Sequence, residues 1–257
     1  MGGFPMTRYR LTLLNMTATT VLGWATIGIV AEAYAAETRA VIELFTSQGC
    51  ESCPAADRLL GELAKEPAMI AMTAAVDYWD YLGWKDTLAL AGHGNRQRAY
   101  ARVRGDRDVF TPQVIVNGAA QALGSDRAQI ERAIVQTRRA PTTLSVPLKV
   151  ALHDGKLTIN APDGKAATEK SEVWLCPMSK AVSVAIARGE NKGKSITYHN
   201  VVRRWIKIGE WNGAAASWTV PVSDFQVSTV DQVTVIIQQG TASTPGPMLA
   251  AAMTPLQ

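Results

Sequence analysis

An α/β domain followed by an all-β, sandwich-like domain is the fold class this sequence predicts, and three observations carry it. The apolar, β-prone run Ala40-Val41-Ile42-Glu43-Leu44-Phe45-Thr46 leads through Cys50-Glu51-Ser52-Cys53-Pro54 into a helical pattern over 57–64, so a strand, a Cys-x-x-Cys and a helix follow one another. Helical and strand-like stretches go on alternating up to Arg139, the last being 126–137, where Ile130, Ala133 and Ile134 recur at helical spacing behind a Ser125-Asp126 cap. Beyond Pro141 the pattern becomes strand upon strand, at 144–152, 157–161, 173–175, 182–186, 201–208, 217–222 and 233–238, with Asp154-Gly155 as a hairpin signal. Domains are therefore expected at 36–140 and 141–257.

Residues 1–35 read as an export signal. Arg8 and Arg10 give a short basic start, Leu11 to Val30 is free of charged residues, and Ala33-Tyr34-Ala35 offers a small-x-small cleavage site before Ala36. An uncleaved anchor is the alternative, weakened by Thr12, Asn15, Thr17, Thr19 and Thr20 within the apolar run. A periplasmic or secreted protein is expected. The chain has 257 residues and a formal net charge of +4, which falls to near +3 without Arg8, Arg10 and Glu32 of the signal. That balance argues for no nucleic-acid partner. Arg96, Arg98, Arg102, Arg104 and Arg107 lie on an expected helix and its exit and read as a solvated face.

The Cys-x-x-Cys carries the chemistry. A thiolate in the first turn of a helix faces unpaired N–H groups and the positive end of the dipole, which lowers its pKa from about 8.5. Cys50 is the expected attacking sulfur and Cys53, further in, the resolving one. Pro54 suits the first turn, where a missing N–H costs little. Glu51 opposes the dipole by disfavouring a second negative charge beside Cys50, which points to a reductant or isomerase rather than a primary oxidase. Glu43 is a candidate proton acceptor for Cys53; a carboxylate paired with Lys85 or an arginine is the other reading.

Phe110-Thr111-Pro112-Gln113 runs into Val114-Ile115-Val116 and an Asn117-Gly118 turn. A proline entering a central strand fits poorly with sheet pairing, and a cis Thr111-Pro112 bond resolves this for about 0.5 to 1 kcal/mol. Thr111 would then offer its backbone to an extended substrate beside the sulfurs. Tyr78, Trp79, Tyr81 and Trp84 form either a substrate-facing wall or a hydrophobic plug.

Together, the strand, the cysteine pair at a helix start, the Thr-Pro loop, the hairpin and the closing helix resemble the thioredoxin superfamily over residues 38–140, with Glu51-Ser52 in place of Gly-Pro and a longer span from Cys53 to Pro112. Three segments, 43–50, 76–86 and 188–193, resemble a secreted bacterial thioredoxin-like family known as domain of unknown function 1223. This resemblance implies a thioredoxin-like fold and an export route, but no substrate.

Alternatives to exchange chemistry are weaker. A bridge across two residues closes too short a loop to gain much chain entropy. A metal would need further ligands, and Cys176, His93, His153 and His199 stand at no ligand spacing. Cys176, inside Val173-Trp174-Leu175, reads as a small buried hydrophobe. The segment 188–194 reads as a polar turn shaped by Gly189 and Gly193. Neither a metal nor a cofactor is expected. The expected partners are protein or peptide thiols and disulfides, with a membrane-bound redox donor as a further candidate. The competing class is a secreted binding module in which Cys50-Cys53 is a structural bridge.

Overall fold

The computed structural model describes residues 1–3, 37–164 and 170–256; the expected export signal from residue 4 onward and its cleavage site lie outside the described residues. Residues 36–257 form one compact unit. Its strands are β1 (Ala40–Thr46), β2 (Met69–Ala75), β3 (Gln113–Val116), β4 (Ala120–Leu123), β5 (Lys149–His153), β6 (Lys156–Ala161), β7 (Ser171–Ala185), β8 (Ser195–Val202), β9 (Ile206–Trp211), β10 (Ala216–Pro221), β11 (Gln232–Thr241) and β12 (Thr244–Pro255). The helices are α1 (Cys53–Leu63), α2 (Ala91–Arg104) and α3 (Arg127–Thr137).

Nine strands join in one mixed sheet, in the order β12-β11-β7-β8-β2-β1-β3-β4 with β9 added on β7, and β10-β6-β5 form a second sheet. This corrects the expected fold class. The protein is largely β with three short helices among the described residues, not a compact thioredoxin-like α/β domain with a separate sandwich. The large sheet runs across residue 140 because β8 lies parallel to β2, pairing Val201 with Thr73. That seam has one ladder pair, reinforced by Thr73 Oγ1 donating to His199 O (2.7 Å) and Asn200 Nδ2 donating to Ala71 O (2.7 Å).

Strand patterning explains the misreading. Period-2 alternation marks strands with one wet face, and β6 and β10 keep it. By contrast, β1, β2 and most of β11 are buried throughout, so β11, whose pattern predicts half of a sandwich, is a strand covered on both faces. Val173–Leu175 and Val182–Ile186, read as two strands, fall almost entirely within the fifteen-residue β7, which pairs with β11 and β9 in its first half and with β8 in its second. The 201–208 run is instead split between β8 and β9.

Alternation along β1 sorts its side chains into two cores. Ala40, Ile42 and Leu44 pack with Leu59, Leu60 and Leu63 of α1 and Ile130, Ala133 and Ile134 of α3. Val41 belongs to a second core with Ile70, Met72, Cys176 and Met178, and Phe45 packs with Tyr100 of α2. Helix α3 begins at Asp126, whose side chain accepts from the Gln129 N–H at 2.9 Å. In α1, Gly61 permits the approach to β8, since a Cβ there would sit 2.6 Å from the His199 ring.

Candidate active site around the Cys50–Cys53 disulfide

Strand β1 ends at Thr46, and the loop from Ser47 to Ser52 delivers the cysteines to the start of α1. The loop is tightly wound: Cys50 N–H donates to Ser47 O, Cys53 N–H to Cys50 O (both 3.2 Å) and Gly49 N–H to Ser47 Oγ (3.1 Å). Cys50 and Cys53 are joined by a disulfide. Cys50 keeps 3% of its surface exposed and Cys53 none, so the second cysteine is the fully enclosed one. Ser52 Oγ lies 3.4 Å from Cys50 Sγ. Pro54 occupies the first turn of the helix, and Glu51 is exposed beside the pair.

Two distant segments hold this loop from one side. Gln48 is fully buried; its N–H donates to Asp86 Oδ2 (2.7 Å) and its Oε1 accepts from Trp84 Nε1 (2.8 Å) and Thr87 N–H (3.3 Å). Asn191, also fully buried, donates both Nδ2 hydrogens, to Gln48 O at 2.9 Å and Cys50 O at 2.8 Å. Its own Oδ1 accepts from Lys194 Nζ (2.8 Å), and Glu190 Oε2 accepts from Glu51 N–H (3.2 Å). Sequence reasoning missed Asn191. The turn 188–194 does have the glycine geometry read from it, φ being +74° at Gly189 and +82° at Gly193, but it also grips the cysteine loop. A Cβ on Gly189 would stand 3.2 Å from Trp84 Cβ, so the turn sits close against the aromatic segment. The signals in the sequence are the resemblance that groups 188–193 with the cysteine segment 43–50, and a length of seven residues, more than a tight hairpin requires.

Trp79 also packs on the cysteine loop. Its Nε1 donates to Thr111 Oγ1 (2.8 Å), while its Cβ and carbonyl lie 3.2 Å from where a Gly49 Cβ would be, so one side chain spans the cysteine loop and the Thr111–Pro112 loop. The Thr111–Pro112 peptide is cis. Pro112 and Ala56 of α1 both flank Gly124, at 3.0 and 3.1 Å from its notional Cβ. Tyr78 packs beside Trp79, with ring centroids 6.0 Å apart, and donates to Gln97 Oε1 (3.2 Å). Tyr81 stacks on Trp79 with centroids 6.3 Å apart and is largely exposed.

The carboxyl groups of Glu43 and Asp57 have opposite surroundings. Glu43 lies on the face of β1 opposite α1 and is fully buried. It accepts from Arg96 Nε (2.6 Å) and Nη2 (3.0 Å) and from Tyr100 Oη (2.6 Å). Arg96 is accordingly buried, a correction to the solvated face expected for the α2 arginines; Arg98 and Arg102 are exposed. Asp57, which sequence reasoning passed over, lies four residues after Cys53 on the buried side of α1. Thr46 Oγ1 donates to its Oδ1 at 2.8 Å, and its Oδ2 has no partner among the described residues. Burial pushes the Asp57 carboxyl from 3.8 up to about 8; the Thr46 hydrogen bond opposes this and the charge of Asp86 adds to it. Tyr198 Oη is likewise without a partner among the described residues, and its pKa is pushed up by burial and by the charges of Asp57 and Asp86. Cys176 stays a free thiol in the core, its pKa raised by burial.

The pattern of the family described as "Protein of unknown function (DUF1223)" matches residues 41–238. The chain belongs to this family. The match takes in every part of the DUF1223 site above, from the cysteine loop to the turn at 188–194. A crystal structure of a protein from Agrobacterium tumefaciens is similar to this chain at 30% sequence identity and a TM-score of 0.74, over 84% of this chain and 93% of that one. Comparison with curated proteins finds no match. With the family's own function unknown, the reading of this DUF1223 protein rests on its site.

Proposed function

We propose that the protein is a thiol-disulfide oxidoreductase acting on protein or peptide thiols and disulfides in an oxidising, extracytoplasmic compartment. The observation that carries this reading is the Cys50–Cys53 disulfide at the start of α1, with a buried carboxyl, Asp57, four residues after Cys53 on the same helix.

The resting disulfide is reduced when a donor thiolate attacks Cys50 Sγ, forming a mixed disulfide and expelling Cys53 as a thiolate. A buried thiolate needs a proton. Asp57, one helical turn after Cys53 and with its carboxyl pushed up to about 8 by burial, is the group we assign to supply it, and the reverse step returns it. We assign this role to Asp57 rather than Glu43, whose two oxygens are already held by Arg96 and Tyr100 on the other face of β1. A second donor thiolate then releases the donor disulfide and leaves Cys50 reduced. In the working direction the Cys50 thiolate attacks a substrate disulfide, Cys53 resolves the mixed disulfide, and two electrons pass to the substrate. Glu51 and Glu190 both place a carboxylate near the Cys50 loop, which disfavours its thiolate and fits a reductant or isomerase better than a primary oxidase.

Equilibration with glutathione buffers, with thiols trapped and weighed, tests this. A potential between about −270 and −120 mV, with glutathione captured on Cys50, is expected; a pair that resists reduction below about −300 mV, or captures nothing, would make it a structural bridge in a binding module.

A further inference from the structure

A second site lies over the buried Arg96. The guanidinium is 8% exposed, and its Nε and Nη2 are used by Glu43, Tyr100 and Gln238. Nη1 has no hydrogen-bond partner among the described residues. Arg96 lies 3.9 Å from the centroid of the Trp205 ring, and Trp205 meets Trp174 edge to face at 6.3 Å. These three residues line a cavity of about 310 Å³, together with Asn95 and Arg102 of α2 and Ser243 of the β11–β12 turn. No acidic side chain lines it.

We propose that this cavity binds a small aromatic carboxylate. Its volume sits at the low end of small-molecule sites, enough for one or two fused rings. The tryptophan pair supplies an apolar, polarisable wall for a ring. Because Glu43 neutralises Arg96, the unbalanced positive charge is that of Arg102 at the rim; a carboxylate there gains Arg102 electrostatically and the unused Arg96 Nη1 as a donor. A neutral ring of the same shape gains neither. The inference is independent of the cysteines, so it stands whatever their role.

Equilibrium dialysis of the oxidised protein against indole-3-acetate and its neutral amide tests it, with Arg102→Glu and Trp174→Leu as variants. Saturable one-to-one binding is expected for the acid, weaker by about tenfold or more for the amide and for acid binding to Arg102→Glu. Arg102 is exposed on α2, so that variant should keep the parent's unfolding midpoint, which circular dichroism checks. Equal binding of acid and amide, binding unaffected by Arg102→Glu, or no saturation up to about 5 mM would each overturn the proposal. Trp174→Leu should abolish binding of both compounds; retention would place the ligand elsewhere.

Discussion

Replacing Asp57 with Asn should change how stability depends on pH, and the size follows from burial. Below pH 3.8 the carboxyl is protonated in the folded and unfolded chain alike; between 3.8 and about 8 only the unfolded chain ionises it. In that window each pH unit takes about 1.36 kcal/mol from the folded state. From pH 5 to pH 8 the loss is about 3 to 4 kcal/mol, allowing for the half-titrated end. Asp57 is 1% exposed, so solvent screening removes little of it. Asn does not titrate, and the groups not coupled to Asp57 cancel when the two proteins are compared. Urea unfolding of the oxidised forms at pH 5, 6.5 and 8 should show wild type losing about 3 to 4 kcal/mol relative to Asp57→Asn. A difference flat within about 1 kcal/mol, or one that moves in favour of wild type as pH rises, would mean an ionised and compensated Asp57, and would refute both the protonation state and the proton donor built on it. The same variant should reduce about a hundredfold more slowly with dithiothreitol and lose the inflection near pH 8 in its rate profile.

Three other consequences are open to measurement. Arg96→Met leaves Glu43 buried without its ion partner and should destabilise by about 3 to 5 kcal/mol in chemical denaturation, whereas the double change with Glu43→Leu should recover much of this. Asn191→Ala removes a side-chain donor from the Gln48 and Cys50 carbonyls, leaving Cys50 O, among the described residues, only its bond from Cys53 N–H, and should cost about 1 to 3 kcal/mol while shifting the potential of the pair, read in the glutathione titration; Asn191→Asp, without the donors, should not rescue it. Burial pushes His93 from 6.5 down to about 4, so its neutral form stabilises the fold above pH 6.5 and that contribution is lost as pH falls toward 4. Acid unfolding of His93→Gln should therefore lack about 3 kcal/mol of this loss.

What could be read from the sequence was local. The run into Cys50, the α3 cap at Asp126, and the Asn117-Gly118 and Asp154-Gly155 turns are specified by residues within a few positions of one another, and positive φ at all four turn residues matches their types. What escaped depends on pairing across more than a hundred residues. Nothing near Thr73 or Val201 announces their parallel pairing, and β12, rich in alanine and proline, does not look like a strand at all. Asp57 sits in a helical pattern where a carboxylate normally faces water; only the fold shows that its turn of α1 is covered. Glu43 illustrates the same limit from the other side. Period 2 says that it opposes Ile42 and Leu44, but not which face α1 will take.

The single sheet also changes what counts as the site. In a two-domain reading, the cysteine loop would be complete within the first 140 residues, and the rest would be an accessory. Instead, the two backbone carbonyls that fix the loop's path, those of Gln48 and Cys50, are held by Asn191, about 140 positions away in sequence. Buried carbonyls must find donors, and among the described residues of the first half no side chain donates to that pair of oxygens. The β7–β8 hairpin is thus part of how Cys50 is presented. Its anchorage passes back through β8 to β2, the strand directly beside the one that leads to the cysteines. Any displacement of β8 against β2 would act at both ends of the loop at once, through β2 and β1 on one side and through Asn191 on the other. The short seam at Thr73 and Val201 is where such a displacement would be easiest, since one ladder pair and two side-chain hydrogen bonds hold it.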